Sequence, residues 1–263
     1  FHALEQLIKS IKQTMMFADE IGRMNLDADY QLLGKGDRLG RSLIAMREKL
    51  KIMKLQEEQL QLMTQKSLLQ GQERERERLS RDMHDGLGPL LTSLKMMIQR
   101  IRMIPEEKEK IKQTLDETIS EVRRMTYNLM PQALVDFGVG AALENLVKMT
   151  SKASGLNIRY ANSMKESRLP DTVNIGLYRI AQEALNNSLK HSGASEIKMS
   201  LTEFDDRISF YFEDNGQGFD VTKSYPGSGL LNIKERCRVL NGILHMESNQ
   251  DGTVLEIEIP LEL

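Results

Sequence analysis

Four short stretches of this sequence carry residues whose types and spacing could do chemistry together. In the first, "RERLSRDMHDGLGPLL" (residues 76–91), His84 stands beside Asp85 and is followed at once by Gly86, Gly88 and Pro89. Imidazole ordinarily titrates at about pH 6.5, so a histidine near neutral pH keeps a ring lone pair for attack on an electrophile. A carboxylate accepting the other ring N–H would fix the tautomer and stabilise the cation that develops, which makes Asp85 the candidate base. Adjacent helical positions do not face one another, so their contact is expected only in a productive conformer. In the second stretch, "QEALNNSLKHS" (182–192), Glu183, Asn187 and His191 fall at i, i+4 and i+8, one face of a helix. An amide oxygen flanked by a carboxylate suits Mg²⁺, which takes oxygen ligands, keeps waters and shares substrate phosphates. The third is "EDNGQGF" (213–219), where Gly216 and Gly218 let the backbone approach a ligand and Asp214 could accept a hydrogen bond from an adenine amino group. In the fourth, "GSGLLNIKER" (227–236), Gly227 and Gly229 precede a helix whose first N–H groups would form an anion site for phosphate. A tight turn explains either glycine motif alone; the three stretches in this order are specific.

The elements that must position these groups can be read from periodicity. Leu79, Met83, Leu87, Leu90, Leu94, Met97 and Ile101 recur in steps of four and three, an apolar helical stripe that runs through the glycines and Pro89. Interior Gly costs about 1 kcal/mol and interior Pro about 3, so the breakers need a reason. Pro89 has no N–H, which leaves the carbonyl of Asp85 without its helical partner and predicts a kink. We expect a hinge at the reacting centre; a static kink that relieves bundle strain is the alternative. Leu115, Ile119, Val122, Met125 and Leu129 mark a second helix that ends before Pro131. Two such helices make a hairpin, and two hairpins close a four-helix bundle, which predicts a homodimer. Upstream, Leu39, Leu43, Met46, Leu50 and Met53 spell a coiled-coil seam, and Leu55, Leu62 and Leu69 continue it out of phase. The run "ERERER" (73–78) alternates in sign and is expected to be a solvated helix face. From about residue 133 the pattern changes. Strands are expected at 156–160, 197–201, 208–214, 243–248 and 253–259, with helices at 139–154, 172–190 and 229–240. The fold class is therefore multidomain: an all-α coiled coil and dimeric four-helix bundle, then an α/β sandwich with one mixed sheet covered by helices.

Composition excludes several function classes. The net charge of −2 argues against a broad basic surface for nucleic acid. The one cysteine, Cys237, cannot form an internal disulfide and fits a reducing compartment. No apolar run approaches the ~18 residues that span a bilayer. Phe1 rather than Met opens the chain, so we expect a fragment from which an upstream anchor could be missing.

The segment from Leu134 to Leu263 resembles the ATP-binding domain of the gyrase/Hsp90/histidine-kinase/MutL superfamily, whose N, G1 and G2 boxes match the last three stretches. The short gap between the last two boxes (about Phe219 to Ser228) resembles the brief ATP lid of histidine kinases of the nitrate-sensor and desaturase-sensor class. Their phosphoacceptor segment, E-R-x-R-[IL]-[AS]-R-[DE]-[LM]-H-D, is matched by "ERERLSRDMHD" (75–85), and "EVRRMTYNLMPQAL" (121–134) resembles the second helix and exit of that domain. Residues 17–50 are similar to a HAMP signalling module, with a D-x-x-G pair at Asp37 and Gly40. The resemblance implies a HAMP-like region at 1–54, a coiled-coil linker at 55–72, a dimerisation and phosphotransfer hairpin at 73–132, and a catalytic ATP-binding domain at 133–263. It also implies transmembrane helices upstream of Phe1, making this the cytoplasmic portion of a bacterial inner-membrane receptor.

The activity implied by the resemblance is that of an ATP-dependent protein-histidine kinase that autophosphorylates on His84, with Asp85 as base. Mg²⁺ on Asn187 would bridge the phosphates, and Glu183, Lys190 and His191 would support that site; Asp214, Gly216, Gly218, Gly227 and Gly229 would bind nucleotide. The phosphoryl group would pass to an aspartate of a response regulator with a LuxR-type output domain. Two other readings stay open: an ATPase in which Glu183 activates water, and a non-catalytic dimeric scaffold. One departure stands out. Such kinases usually carry Gln five residues after the phosphoacceptor, to position water for dephosphorylating the regulator, and here that residue is Pro89. The larger histidine-kinase class uses Thr or Asn one residue earlier, where this chain has Gly88.

Overall fold

Long stretches free of Gly and Pro, rich in Leu, Lys, Glu and Gln, make the first half of the chain helical. The computed structural model describes all residues except 1, 33, 35, 102–103, 166–168, 222, 224–228 and 262–263. Residues 1–66 form one unit and 67–263 another.

In the first unit, α1 (His2–Gly22) is followed by a connector and the start of α2 (Arg38–Asp82). Phe17, Ile21 and Leu26 are buried, with Tyr30, Leu43, Ile44 and Leu50 packed around them. The rings of Phe17 and Tyr30 stack at 4.7 Å. Asp37 accepts the Gly40 N–H at 2.8 Å, which caps the first turn of α2, and also accepts the Tyr30 hydroxyl at 3.0 Å. Of the expected seam, Leu43 and Leu50 turn to this small core, whereas Leu39, Met46 and Met53 are exposed on the single chain. Among the described residues no helix is long and apolar enough to cross a membrane.

In the second unit the chain leaves α2 through a π-helical turn, Met83–Leu87, and continues as α3 (Gly88–Arg100). The Gly88 N–H reaches back five residues to the Met83 carbonyl, and the flanking residues Asp82, Leu87 and Gly88 all keep right-handed helical angles. The glycines and Pro89 therefore widen one turn without breaking the helix, with Pro89 in the first turn of α3, where a missing N–H is tolerated. The wide turn holds one extra residue, so beyond it the face packed within the chain differs from the apolar stripe read from sequence. The less exposed positions run Ser80, Met83, Gly88, Leu91, Lys95, Ile98, with a step of five across the turn, and two of them reach α4 (Pro105–Leu129) and its end. Lys95 pairs with Asp116 of α4, and the Ser80 hydroxyl donates to the carbonyls of Thr126 and Met130 at 3.3 and 3.4 Å. The expected stripe beyond the turn (Leu87, Leu90, Leu94, Met97 and Ile101) is exposed on the single chain, Leu90 by 67%.

After Pro131, α5 (Gln132–Ser154) leads into the sheet. Its five strands are β1 (Asn157–Ser163), β2 (Glu196–Glu203), β3 (Arg207–Asp214), β4 (Ile243–Asn249) and β5 (Gly252–Pro260), in the order β1-β2-β3-β5-β4. β1 and β2 are parallel and the other pairs antiparallel, so the sheet is mixed. Period-two alternation sends Ile197, Met199, Leu201, Ile208, Phe210, Phe212, Leu255, Ile257 and Ile259 into one buried face. That face carries α5, α6 (Asp171–Asn187) and α7 (Gly229–Val239), whose Leu143, Leu177, Ile180, Ala184 and Ile233 complete the core. All five expected strands are present, with ends within a few residues. The buried Cys237 thiol is pushed up to about 11 by burial, so it stays protonated and unreactive at neutral pH.

Candidate active site

Helix α6 buries Leu177, Ile180, Ala181, Ala184 and Leu185 against the sheet, and the same 3.6-residue period leaves Glu183 and Asn187 half-buried on an adjoining face. The N-terminus of α7 lies against that face. A Cβ added to Gly229 would strike Oε1 of Glu183 and stand 3.0 Å from Oδ1 of Asn187, so a side chain there would displace the Glu183 carboxylate. This brings Gly229 of the fourth stretch onto Glu183 and Asn187 of the second. Gly227 lies outside the described residues.

Immediately after Asn187 the helix passes into a second π-helical turn, Ser188–Ser192. The extra residue corrects the expected i, i+4, i+8 face. Ser192, one position beyond His191, packs beneath Gly216, where an added Cβ would come within 2.5 Å of the serine Cβ. His191 and Lys190 are exposed on the turn, and His191 contributes its carbonyl, which accepts the Gln217 side-chain N–H at 2.8 Å. Asp214, at the end of β3, is buried. Its Oδ2 accepts the Ser188 hydroxyl at 2.5 Å and its Oδ1 the Gly216 N–H at 2.9 Å. Each oxygen keeps a second lone pair, so the carboxylate is oriented and can still accept from a ligand. The loop beyond it is fixed on both sides. Gln217 N–H donates to the Ser192 carbonyl at 2.9 Å, and Phe219 N–H to the Ser248 hydroxyl at 2.8 Å. Gly218 has φ +62, and any side chain there would collide with the Asn249 carbonyl of the β4–β5 hairpin.

His84 lies in the first π-helical turn, its side chain 79% exposed, with Nδ1 2.8 Å from Oδ1 of Asp85. The neighbours expected to meet only in a productive conformer are thus already in contact, because the widened turn departs from the side-chain fan of a regular helix. Among the described residues Asp85 is the hydrogen-bond partner of the ring, and the His84–Asp85 pair shares no hydrogen bond with Glu183, Asn187 or Asp214.

The charged run before His84 is partly as expected. Arg78 pairs with Glu75 and Asp82, and Arg81 with Glu77, all exposed and each contributing little to stability. Glu73 departs from the expectation: it is buried and paired with Arg179 of α6 and Arg236 of α7. Neither arginine is prominent in the sequence, although Arg179 lies four residues before Glu183 and so on its face. Ser188 and Ser192 are likewise inconspicuous in the sequence, since their roles depend on the π-helical register.

The donor set around Asn187 fits a divalent metal. Among the described residues no cluster of three His, Cys, Asp or Glu could hold an ion by itself. The oxygens of Asn187 and Glu183 suit Mg²⁺ completed by phosphates and water. The buried Nδ2 of Asn187 finds no hydrogen-bond partner among the described residues, an orphaned donor that a phosphate oxygen would satisfy.

A family model described as histidine kinase matches residues 75–134, and one described as histidine kinase-, DNA gyrase B- and HSP90-like ATPase matches 172–263. The signal transduction histidine-protein kinase/phosphatase DegS of Brevibacillus brevis is 32% identical over 271 residues, covering 98% of this chain and 67% of its own. The oxygen sensor histidine kinase NreB of Staphylococcus carnosus is 28% identical over 216 residues, covering 78% of this chain and 62% of its own. Among solved structures, the histidine kinase domain of a blue-light activated histidine kinase from Erythrobacter litoralis aligns with a TM-score of 0.45 at 14% identity, over 66% of this chain and 94% of that one.

Proposed function

The chain belongs to the sensor histidine kinases, and from that premise we propose that it moves the γ-phosphoryl group of ATP to Nε2 of its own His84 and then to an aspartate of a response regulator. The observation that carries this reading is the His84–Asp85 pair. Asp85 accepts the N–H on Nδ1, which fixes the tautomer and leaves the lone pair on Nε2 of an exposed ring. In the step, that lone pair forms an N–P bond while the bond from the γ-phosphorus to its bridging oxygen breaks and ADP departs. The cation left on the ring is held by Asp85, which orders the ring without moving. In the second step an aspartate oxygen of the regulator attacks phosphorus, the N–P bond breaks, and His84 returns to neutral imidazole. Positioning and charge neutralisation make up most of such catalysis.

Asp214 is suited to an adenine amino group, Gly216 and Gly218 to close passage of the nucleotide, and Gly229 with Lys190 to its phosphates. Mg²⁺ held through Asn187, with Glu183 beside it, would neutralise phosphate charge. His191 acts through its carbonyl on Gln217. Residues 1–54, 55–72, 73–132 and 133–263 serve as HAMP-like region, linker, phosphotransfer hairpin and ATP-binding domain. A LuxR-type regulator is the partner that the class resemblance supports, and an inner-membrane receptor is the parent it supports. Incubation with γ-labelled ATP tests the core of the proposal. Label on the protein that survives alkali and is lost in acid is expected; release of free phosphate alone would overturn it.

The exposed stripe of α3 supports a homodimer through residues 73–132. α3 buries no side chain within the chain and α4 only Leu115, so the hairpin leaves Leu87, Leu90, Leu94 and Met97 for a second copy. Light scattering on residues 73–130 should report twice the chain mass; a folded monomer would sink the dimer.

Phosphatase activity toward the regulator should be weak. Gly88 and Pro89 offer neither a side-chain amide nor a hydroxyl to orient water, although the relative DegS is named a kinase/phosphatase. Purified phospho-regulator should lose label at close to its spontaneous rate when this protein and ADP are added. An acceleration of tenfold or more would show that another group, such as Asp85, orients the water. Pro89→Gln should raise the rate.

A further inference from the structure

Three charged side chains from three helices meet in the interior of the second unit. Glu73 of α2 accepts from Nε of Arg179 at 3.0 Å and from Nη2 of Arg236 at 3.0 Å, and its Oε2 lies 2.9 Å from Nη2 of Arg179 as an ion pair. Glu73 and Arg179 are buried, and the Arg236 side chain is 11% exposed. Arg179 is fully engaged: it also donates to the carbonyls of Asn128 and Leu129, where α4 ends, and to Gln182.

The position of this triad matters more than its strength. Arg179, Glu183 and Asn187 follow at four-residue intervals along α6, and Gly229 and Arg236 lie two turns apart along α7. The seam between α6 and α7 thus has two ends. At one, Gly229 lies against Glu183 and Asn187; at the other, Arg236 and Arg179 share Glu73. Helix α7 is shallowly held, burying only Ile233 and Cys237 among its described side chains. Two guanidinium groups side by side repel, and burial sharpens the repulsion. Burial is the main cause that lowers the Arg236 pKa; Glu73 raises it and Arg179 lowers it further. Removing the shared carboxylate leaves two guanidinium groups side by side in the interior, with the half-buried Arg76 adding a third positive charge and only the weaker field of Glu183 opposing them, which is more damaging than never having had them there.

We propose that Glu73 is a positioning residue for the nucleotide site: as the common counter-ion of Arg179 and Arg236 it holds α7 against α6, so that docking of the helix leading into His84 and nucleotide affinity form one coupled equilibrium. This rests on the assignment of Asn187 and Gly229 to nucleotide. Coupling of this kind is reciprocal and typically changes affinity by about 5- to 150-fold.

The test is calorimetric titration of the 263-residue chain with ADP and Mg²⁺, with far-UV circular dichroism on each variant. Glu73→Gln should weaken binding about tenfold. The double variant Glu73→Gln with Arg236→Gln should recover to within about threefold of the unaltered protein, because the buried Arg179 no longer faces a second guanidinium and the net charge of the group returns to its original value. Losses that add would show that Glu73 and Arg236 act independently on the nucleotide site and would overturn the proposal. Unchanged affinity in Glu73→Gln while Asn187→Ala loses binding overturns the coupling and leaves the site assignment standing, as does a double variant weaker than the single one. Normal binding by Asn187→Ala overturns the assignment and the coupling with it. Should Glu73→Gln fail to fold, the unaltered protein decides: ADP should slow amide exchange at residues 70–76, and unchanged exchange overturns the proposal.

Discussion

His84→Gln should reduce incorporation of the γ-phosphoryl label to background while ADP and ATP affinity stays within a few-fold of the unaltered protein. Glutamine keeps a polar side chain of comparable reach but has no basic lone pair, so the N–P bond cannot form. Affinity should persist because Glu183, Asn187, Asp214 and Gly229 assemble on α6, β3 and α7 without any hydrogen bond to the His84 ring. A parallel loss of nucleotide affinity would show that the acceptor and the nucleotide site are not separate in function. Asp85→Asn is the sharper companion. An amide can still meet Nδ1, but it carries no charge to hold the ring cation, so the label should fall strongly yet remain above the level of His84→Gln.

Asn187→Ala should produce the opposite division: nucleotide binding lost, acceptor intact. Removing the amide deletes the candidate Mg²⁺ ligand and the orphaned donor Nδ2 together. The expected loss in Mg²⁺-dependent affinity is at least about tenfold, equivalent to roughly 1.4 kcal/mol. Titration with and without EDTA separates the two contributions. If the amide serves the metal, chelation should weaken the unaltered protein and leave Asn187→Ala nearly unchanged. Autophosphorylation of Asn187→Ala at the normal rate would rule out the metal assignment.

Much of this fold is legible in the sequence. Period-two alternation in "ISFYFED" marks β3, because an antiparallel strand with one covered face needs an apolar side chain at every second residue. The glycine motifs are legible as well, since close backbone approach restricts the residue type. Counting is what fails. Periodicity assumes 3.6 residues per turn, and the helices that carry His84 and Asn187 each run into a turn that holds more. That extra residue moves His191 off the expected face, moves the in-chain stripe of α3 from Leu87 and Leu90 to Gly88 and Leu91, and brings Asp85 onto His84. Glu73 escapes for a different reason. In "ERERER" it looks like its neighbours, and only tertiary packing against Arg179 and Arg236 distinguishes it from Glu75 and Glu77.

The turn around His84 resembles a dislocation in a crystal: one surplus unit held in a lattice that is regular on either side. Such a fault can glide without breaking the lattice, by exchanging one hydrogen bond at a time. Here it can glide in one direction only. Downstream, Pro89 has no N–H to exchange, so the fault is pinned at Gly88. Upstream, each exchange would carry the surplus residue one position toward Asp82 and rotate a single side chain by about 100°, leaving both ends of the helix where they were. A helix built this way can re-aim a histidine against its carboxylate neighbour with no change in length.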